Sequence, residues 1–92
     1  MIEIKPGVIY KYPIDVGTNH LNLPNNSTVL SAGLDVTGVM CVWAFVYPDE
    51  PLQDYIVDCI GTGWEGVYID PAAKFIGTVN DGEYIWHIFW RR

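Results

Sequence analysis

Two cysteines, two histidines and eleven acidic side chains are the groups in this sequence from which chemistry could be built. Nucleophilic catalysis needs a nucleophile, a base and an orienting group within hydrogen-bond reach of one another. Cys41 or Cys59, His20 or His87, and Asp58 are the candidates for those roles. Cys41 stands inside an apolar run, where loss of water raises a thiol's pKa and suppresses the thiolate. His87, between Trp86 and Ile88, has the setting of a packed imidazole with one ring nitrogen hydrogen-bonded, and His20 falls in a polar stretch that reads as a loop. No triad emerges. The two His and two Cys lack any close-pair spacing for zinc, and the acids do not follow a calcium-loop pattern. A chain of this size rarely holds the saccharide cleft that paired carboxylates would need. The expectation is a non-enzymatic protein without a cofactor.

The local constellation with most chemical interest is Gly61-Thr62-Gly63-Trp64. Successive glycines let backbone N–H groups converge on an anion, and a neighbouring aromatic can stack on a base. No P-loop lysine or serine follows, and no helix is expected to begin there. The competing expectation is a strand-ending turn whose tryptophan caps the core. Asp49, Glu50, Asp54 and Asp58 form the one local concentration of acids. Together Asp49, Glu50, Asp54, Gly61, Thr62, Gly63, Trp64 and Trp90 make up the candidate partner or ligand surface.

These residues must be positioned by strands. Glycine and proline punctuate the chain every few residues, and no segment of helical length shows a 3.6-residue apolar period. Short runs of Val, Ile, Tyr, Trp and Thr lie between turn residues instead. The expected strands are residues 7–14, 28–35, 39–47, 54–62, 74–79 and 83–90, with 21–23 as a short edge piece. The stretch 64–74 is expected to be a loop, with one helical turn at most after Asp70-Pro71. Asn80-Asp81-Gly82 is the strongest hairpin signal, and Val36-Thr37-Gly38 is a second. The fold class is therefore all-β: one domain, residues 1–92, in a small antiparallel sandwich or open barrel of five to six strands.

Two strands fail to alternate. In 39–47, Val39, Cys41, Trp43, Phe45 and Tyr47 lie on one face, and Met40, Val42, Ala44 and Val46 on the other. In 83–90 the sets are Ile85, His87, Phe89 and Tyr84, Trp86, Ile88, Trp90. An antiparallel sheet with one wet face alternates apolar and polar residues. Strands apolar on both faces are covered twice or meet another molecule, so self-association or partner binding is expected.

Composition bounds the rest. Half of the 92 residues are hydrophobic, with four Trp, six Tyr and three Phe, which excludes disorder. Eleven acids against five bases give a net charge of −6, and the bases look scattered or terminal, so binding to a nucleic-acid backbone is not expected. The longest apolar run, 39–47, is about half of a membrane-spanning helix, and no membrane association is expected. The opening Met-Ile-Glu-Ile-Lys-Pro lacks the pattern of a secretory signal. A cytoplasmic location with reduced, buried cysteines follows; a disulfide would require their two strands to be neighbours.

Several motifs in order resemble a family of short proteins of tailed phages and prophages. They are Leu23-Pro24, Val29-Leu30-Ser31, Cys41-Val42-Trp43-Ala44-Phe45-Val46, Pro48-Asp49, Ile60-Gly61-Thr62-Gly63, Phe75-Ile76-Gly77-Thr78-Val79 and Trp86-His87-Ile88-Phe89. The likeness spans residues 21–89; the first strand and the Trp90-Arg91-Arg92 ending depart from it. It implies a context, the cytoplasm of an infected bacterium, and no activity. On it rests the expectation of an accessory protein that binds and inhibits a bacterial defence component. An oligomeric sponge for a nucleotide signal and a virion or assembly protein are the alternatives, so a host protein, a second copy or a small nucleotide are the expected partners.

Overall fold

The structure, a computed structural model, describes residues 4–92; Met1, Ile2 and Glu3 of the signal reading lie outside the described residues. Seven strands follow one another: β1 (Val8–Pro13), β2 (Gly17–Pro24), β3 (Thr28–Leu34), β4 (Met40–Val46), β5 (Leu52–Gly61), β6 (Lys74–Asn80) and β7 (Ile85–Arg91). They form two antiparallel sheets that face each other without closing into a barrel. Sheet A has the order β1-β4-β3 and sheet B the order β2-β5-β7-β6. The all-β sandwich is as expected.

The count of five to six strands is corrected to seven. The added strand is β2: the short edge piece expected at 21–23 extends back to Gly17, through Thr18, Asn19 and His20, which looked like a polar connection. All eight of its residues pair with β5, and its inward positions carry Gly17, Asn19, Leu21 and Leu23. As an edge strand it needs apolar residues on one face only, and few of them. His20 is therefore a strand residue and not a loop residue. No helix occurs among the described residues. After Asp70-Pro71 the chain makes a turn, because the Asp70 carboxylate takes the Ala72 N–H at 2.8 Å and the Asp70 carbonyl takes that of Ala73. The two edge strands carrying Pro13 and Pro24 hold them at their last positions, where a missing N–H costs least.

The core lies between the sheets. Val42, Ala44 and Val46 of β4 meet Leu23, Tyr55, Val57, Cys59, Trp86, Ile88 and Trp90 from sheet B, all buried. At one corner the edge strands β3 and β6 pack side by side, and each carries a bulge there, at Leu30 and at Ile76. A Cβ on Gly77 would stand 3.7 Å from the Ala32 carbonyl, which shows how closely the two backbones approach. Cys41 and Cys59 are both buried and free, and their strands belong to different sheets.

Candidate functional site

The residues of the three motifs Ile60–Gly63, Phe75–Val79 and Trp86–Phe89 come together on sheet B. Alternation along β7 turns Trp86, Ile88 and Trp90 inward and His87, Phe89 and Arg91 outward. Register then sets Ile60 beside His87 and Asp58 beside Phe89, while Thr78 and Phe75 of β6 stand on the other side of the same two residues. His87 is clasped from both sides: the Thr62 hydroxyl lies 2.6 Å from its Nε2 and the Thr78 hydroxyl 3.3 Å from its Nδ1. Both ring nitrogens are thus occupied by hydroxyls, and no carboxylate orients the ring. Chemically the row is a polar clasp across three chain segments, not an activated nucleophile.

Around the clasp the outer face of sheet B is apolar. Ile56, Ile60 and Phe89 are half-buried, while Phe75 is 57% and Ile85 38% exposed. Phe75 and Phe89 rings meet at 5.4 Å across the strands. Acids interrupt it along β5, where Asp54 and Asp58 alternate with Ile56 and Ile60. Asp58 accepts the Thr18 hydroxyl at 2.7 Å, and Asp54 lies 3.1 Å from His20 Nδ1. Sheet A also carries apolar groups outward: the half-buried Phe45 ring lies over Gly7, the half-buried Trp43 ring over Gly33, Cys41 is fully buried beside Asp35, and Ile9, paired with Phe45, is 56% exposed.

The turn Gly61–Trp64 is engaged internally. Thr62 N–H donates to the Ile85 carbonyl at 3.1 Å and Trp64 N–H to the Gly61 carbonyl at 3.3 Å, so these amides do not converge outward. Trp64 folds back over Gly61, where a Cβ would come within 2.5 Å of its indole nitrogen, and meets Trp86 edge-on at 5.8 Å. It still exposes 48% of its surface.

The acidic concentration is divided. Asp49 and Glu50 lie in the β4–β5 connection and hold Lys5 at 3.6 and 2.9 Å, whereas Asp54 and Asp58 belong to the outer face of sheet B. The hydrogen bond to Glu50 raises the Lys5 pKa. Trp90 faces inward and is 8% exposed, with the Lys74 ammonium 5.5 Å above its ring. Sequence reasoning missed Lys74, Arg91 and Arg92 as neighbours, and Phe75 and Phe89 as a pair. Counting back from Asn80-Asp81-Gly82 without a bulge sets Lys74 opposite Arg91; the bulge at Ile76 moves it opposite Trp90 and moves Phe75 opposite Phe89.

A family model described as a domain of unknown function, DUF7352, matches residues 6–92. The chain belongs to the DUF7352 family. The match takes in β1 and the Trp90-Arg91-Arg92 ending, which the phage resemblance left out. The family description names neither a phage nor an activity. Comparison with curated proteins and with solved structures gives no match. No helix among the described residues of this DUF7352 domain is long and apolar enough to cross a membrane.

Proposed function

We propose that this DUF7352 domain works by binding, without catalysis, and that the outer face of sheet B grips a protein partner. The observation that carries this is the set Ile56, Ile60, Phe75, Ile85 and Phe89 on one sheet face, with Asp58 among them between Ile56 and Ile60, and Asp54 beyond Ile56. Exposed apolar side chains interspersed with acids suit a recognition surface, and the acids select a partner that sets basic groups against them. The likeness to short tailed-phage proteins supports a host protein as that partner, most concretely a nucleic-acid-handling component of a bacterial defence complex in the cytoplasm. This last step is by association.

The test is phage plating on a strain that carries a defence system and expresses the chain. The unaltered chain should restore plating and co-purify with one defence component at fixed stoichiometry. Phe75→Glu, an exposed change, and Asp54→Lys with Asp58→Lys should abolish both while the purified variants keep their melting behaviour. Equal protection by the variants would remove sheet B as the surface. Capture of a nucleotide signal by an oligomer of the chain would replace inhibition by sequestration, and recovery in purified particles would replace it by a virion role.

A further inference from the structure

Five basic side chains serve this acidic protein, and they are not distributed evenly. Lys5 is held by Asp49 and Glu50, and Lys11 by Asp35 at 2.8 Å. The other three, Lys74, Arg91 and Arg92, line one cavity of about 280 Å³ together with Asp70, Ala72 and Trp90. Lys74 and Arg92 form no ion pair among the described residues, and Arg91 reaches Asp70 only at 3.8 Å. Its Nε is buried without any hydrogen-bond partner.

The fold sets these heads in place. Lys74 is carried over Trp90 by the Ile76 bulge, Trp90 stacks on Tyr55 at 5.9 Å, and the Arg92 guanidinium lies 5.7 Å from the Tyr55 ring. Cation–π contacts hold a cationic head on an apolar support without neutralising it. These two heads and Arg91 face a single carboxylate side chain, that of Asp70, whose other oxygen is spent on the Ala72 N–H. We infer that this notch binds the phosphate monoester of a small molecule.

The class of ligand follows from charge, size and support. Guanidinium and ammonium groups together suit a multiply charged oxyanion with several acceptor oxygens, and Arg matches phosphate through paired N–H donors. A cavity of 280 Å³ sits at the small end of ligand pockets and takes a phosphate with little of what it is attached to. Trp90 is 8% exposed, so its face is closed to a base, and the organic part of the ligand points out of the mouth unread. Binding should therefore be indifferent to the base. A nucleic-acid backbone is the disfavoured source of the phosphate, since the domain as a whole, at −6, repels a polyanion. This site is separate from the sheet-face reading and stands or falls without it.

The experiment is an NMR titration of the whole ¹⁵N-labelled chain with ribose 5-phosphate, AMP, UMP, adenosine and a single-stranded oligonucleotide at low salt. Ribose 5-phosphate, AMP and UMP should give saturable shifts of similar affinity, confined to Asp70–Lys74 and Trp90–Arg92 and including the Trp90 indole N–H. Adenosine should give none, and the oligonucleotide should bind more weakly than the monophosphates. Lys74→Gln and Arg92→Gln should each weaken binding about tenfold, as loss of one charge-assisted contact does, while Lys11→Gln does not. Lys74→Arg should restore it. Absence of saturable shifts, shifts spread over the surface, equal binding of adenosine, or tighter binding of the oligonucleotide would each overturn the inference.

Discussion

Three aromatic rings in this domain lie over glycines, and the contacts differ in tolerance. A Cβ on Gly33 would meet the Trp43 ring at an ordinary 3.6 Å. On Gly61 it would fall 2.5 Å from the Trp64 indole nitrogen, and on Gly7 2.6 Å from the Val46 carbonyl and 2.7 Å from the Phe45 ring. Aromatic cover of strand glycines compensates for the missing side chain. The alanine series should therefore be graded. Gly33→Ala should be neutral or stabilise by about 0.5 kcal/mol, through the unfolded chain alone. Gly61→Ala should cost about 1–3 kcal/mol, as overpacking does, and shift Trp64 emission to the red as the indole leaves its seat. Gly7→Ala should cost more, because a backbone carbonyl cannot swing aside. Urea unfolding of the three variants orders them, and equal costs would contradict the contact geometry. None of these ring-on-glycine contacts was legible beforehand. Gly33 and Gly61 fall inside expected strands, as they do in the fold, but nothing in their neighbourhood marks them as seats for a ring; Gly63 and Gly82, at positive φ, are turn residues.

The connection between β2 and β3 depends on one buried hydroxyl. Tyr55 is fully buried in β5, and its oxygen accepts the Ser27 N–H at 3.1 Å, while Ser27 Oγ donates to the Pro24 carbonyl at 2.6 Å. Tyr55→Phe removes the acceptor and leaves Ser27 N–H with a long 3.3 Å bond to Pro24 as its remaining partner. A loss of about 1 kcal/mol is expected, the low end for an unsatisfied buried donor because that second bond persists. Denaturant midpoints check it, and Ser27→Ala in the Phe background should then add less than it does alone. At this scale the sequence was informative where strands are apolar. β3 to β7 appear near their true bounds, and both hairpins fall where turn residues put them. It caught only residues 21–23 of β2, whose polar alternation is that of an edge, and was silent on the bulge at Ile76. A bulge leaves no mark in a run as uniform as Phe75-Ile76-Gly77, yet it decides which face Lys74 and Phe75 join. That is why the apolar face was foreseen in part, from β7, and the basic notch not at all.

The molecule as a whole is stabilised against acid at one hairpin in each sheet. In sheet A, Asp35 accepts from Lys11, Thr37 and the Val39 N–H, and these bonds, Lys11 first, hold its carboxyl well below the usual carboxylate range. In sheet B, Asp81 accepts from the Trp86 indole at 2.9 Å and from the Glu83 and Tyr84 N–H groups, with the same direction of shift and the indole bond the largest cause. A carboxylate depressed in the folded state adds stability that is complete above its unfolded value, about 3.9, and fades as pH falls below it. At the alkaline end burial pushes the Cys59 thiol up to about 11. A thiol raised in this way favours the folded state fully below its unfolded value, about 8.5, and that advantage is lost as pH rises toward the folded one. The melting temperature should therefore be flat from about pH 4.5 to 8 and fall on both sides. Asp35→Asn and Asp81→Asn should each lower the plateau and reduce the acid slope, since the variant has less left to lose. Cys59→Ala should reduce the alkaline slope and leave the acid limb unchanged. An acid limb identical in all three variants would show that the two hairpin carboxylates do not govern it, and that the general repulsion of protonated chains does.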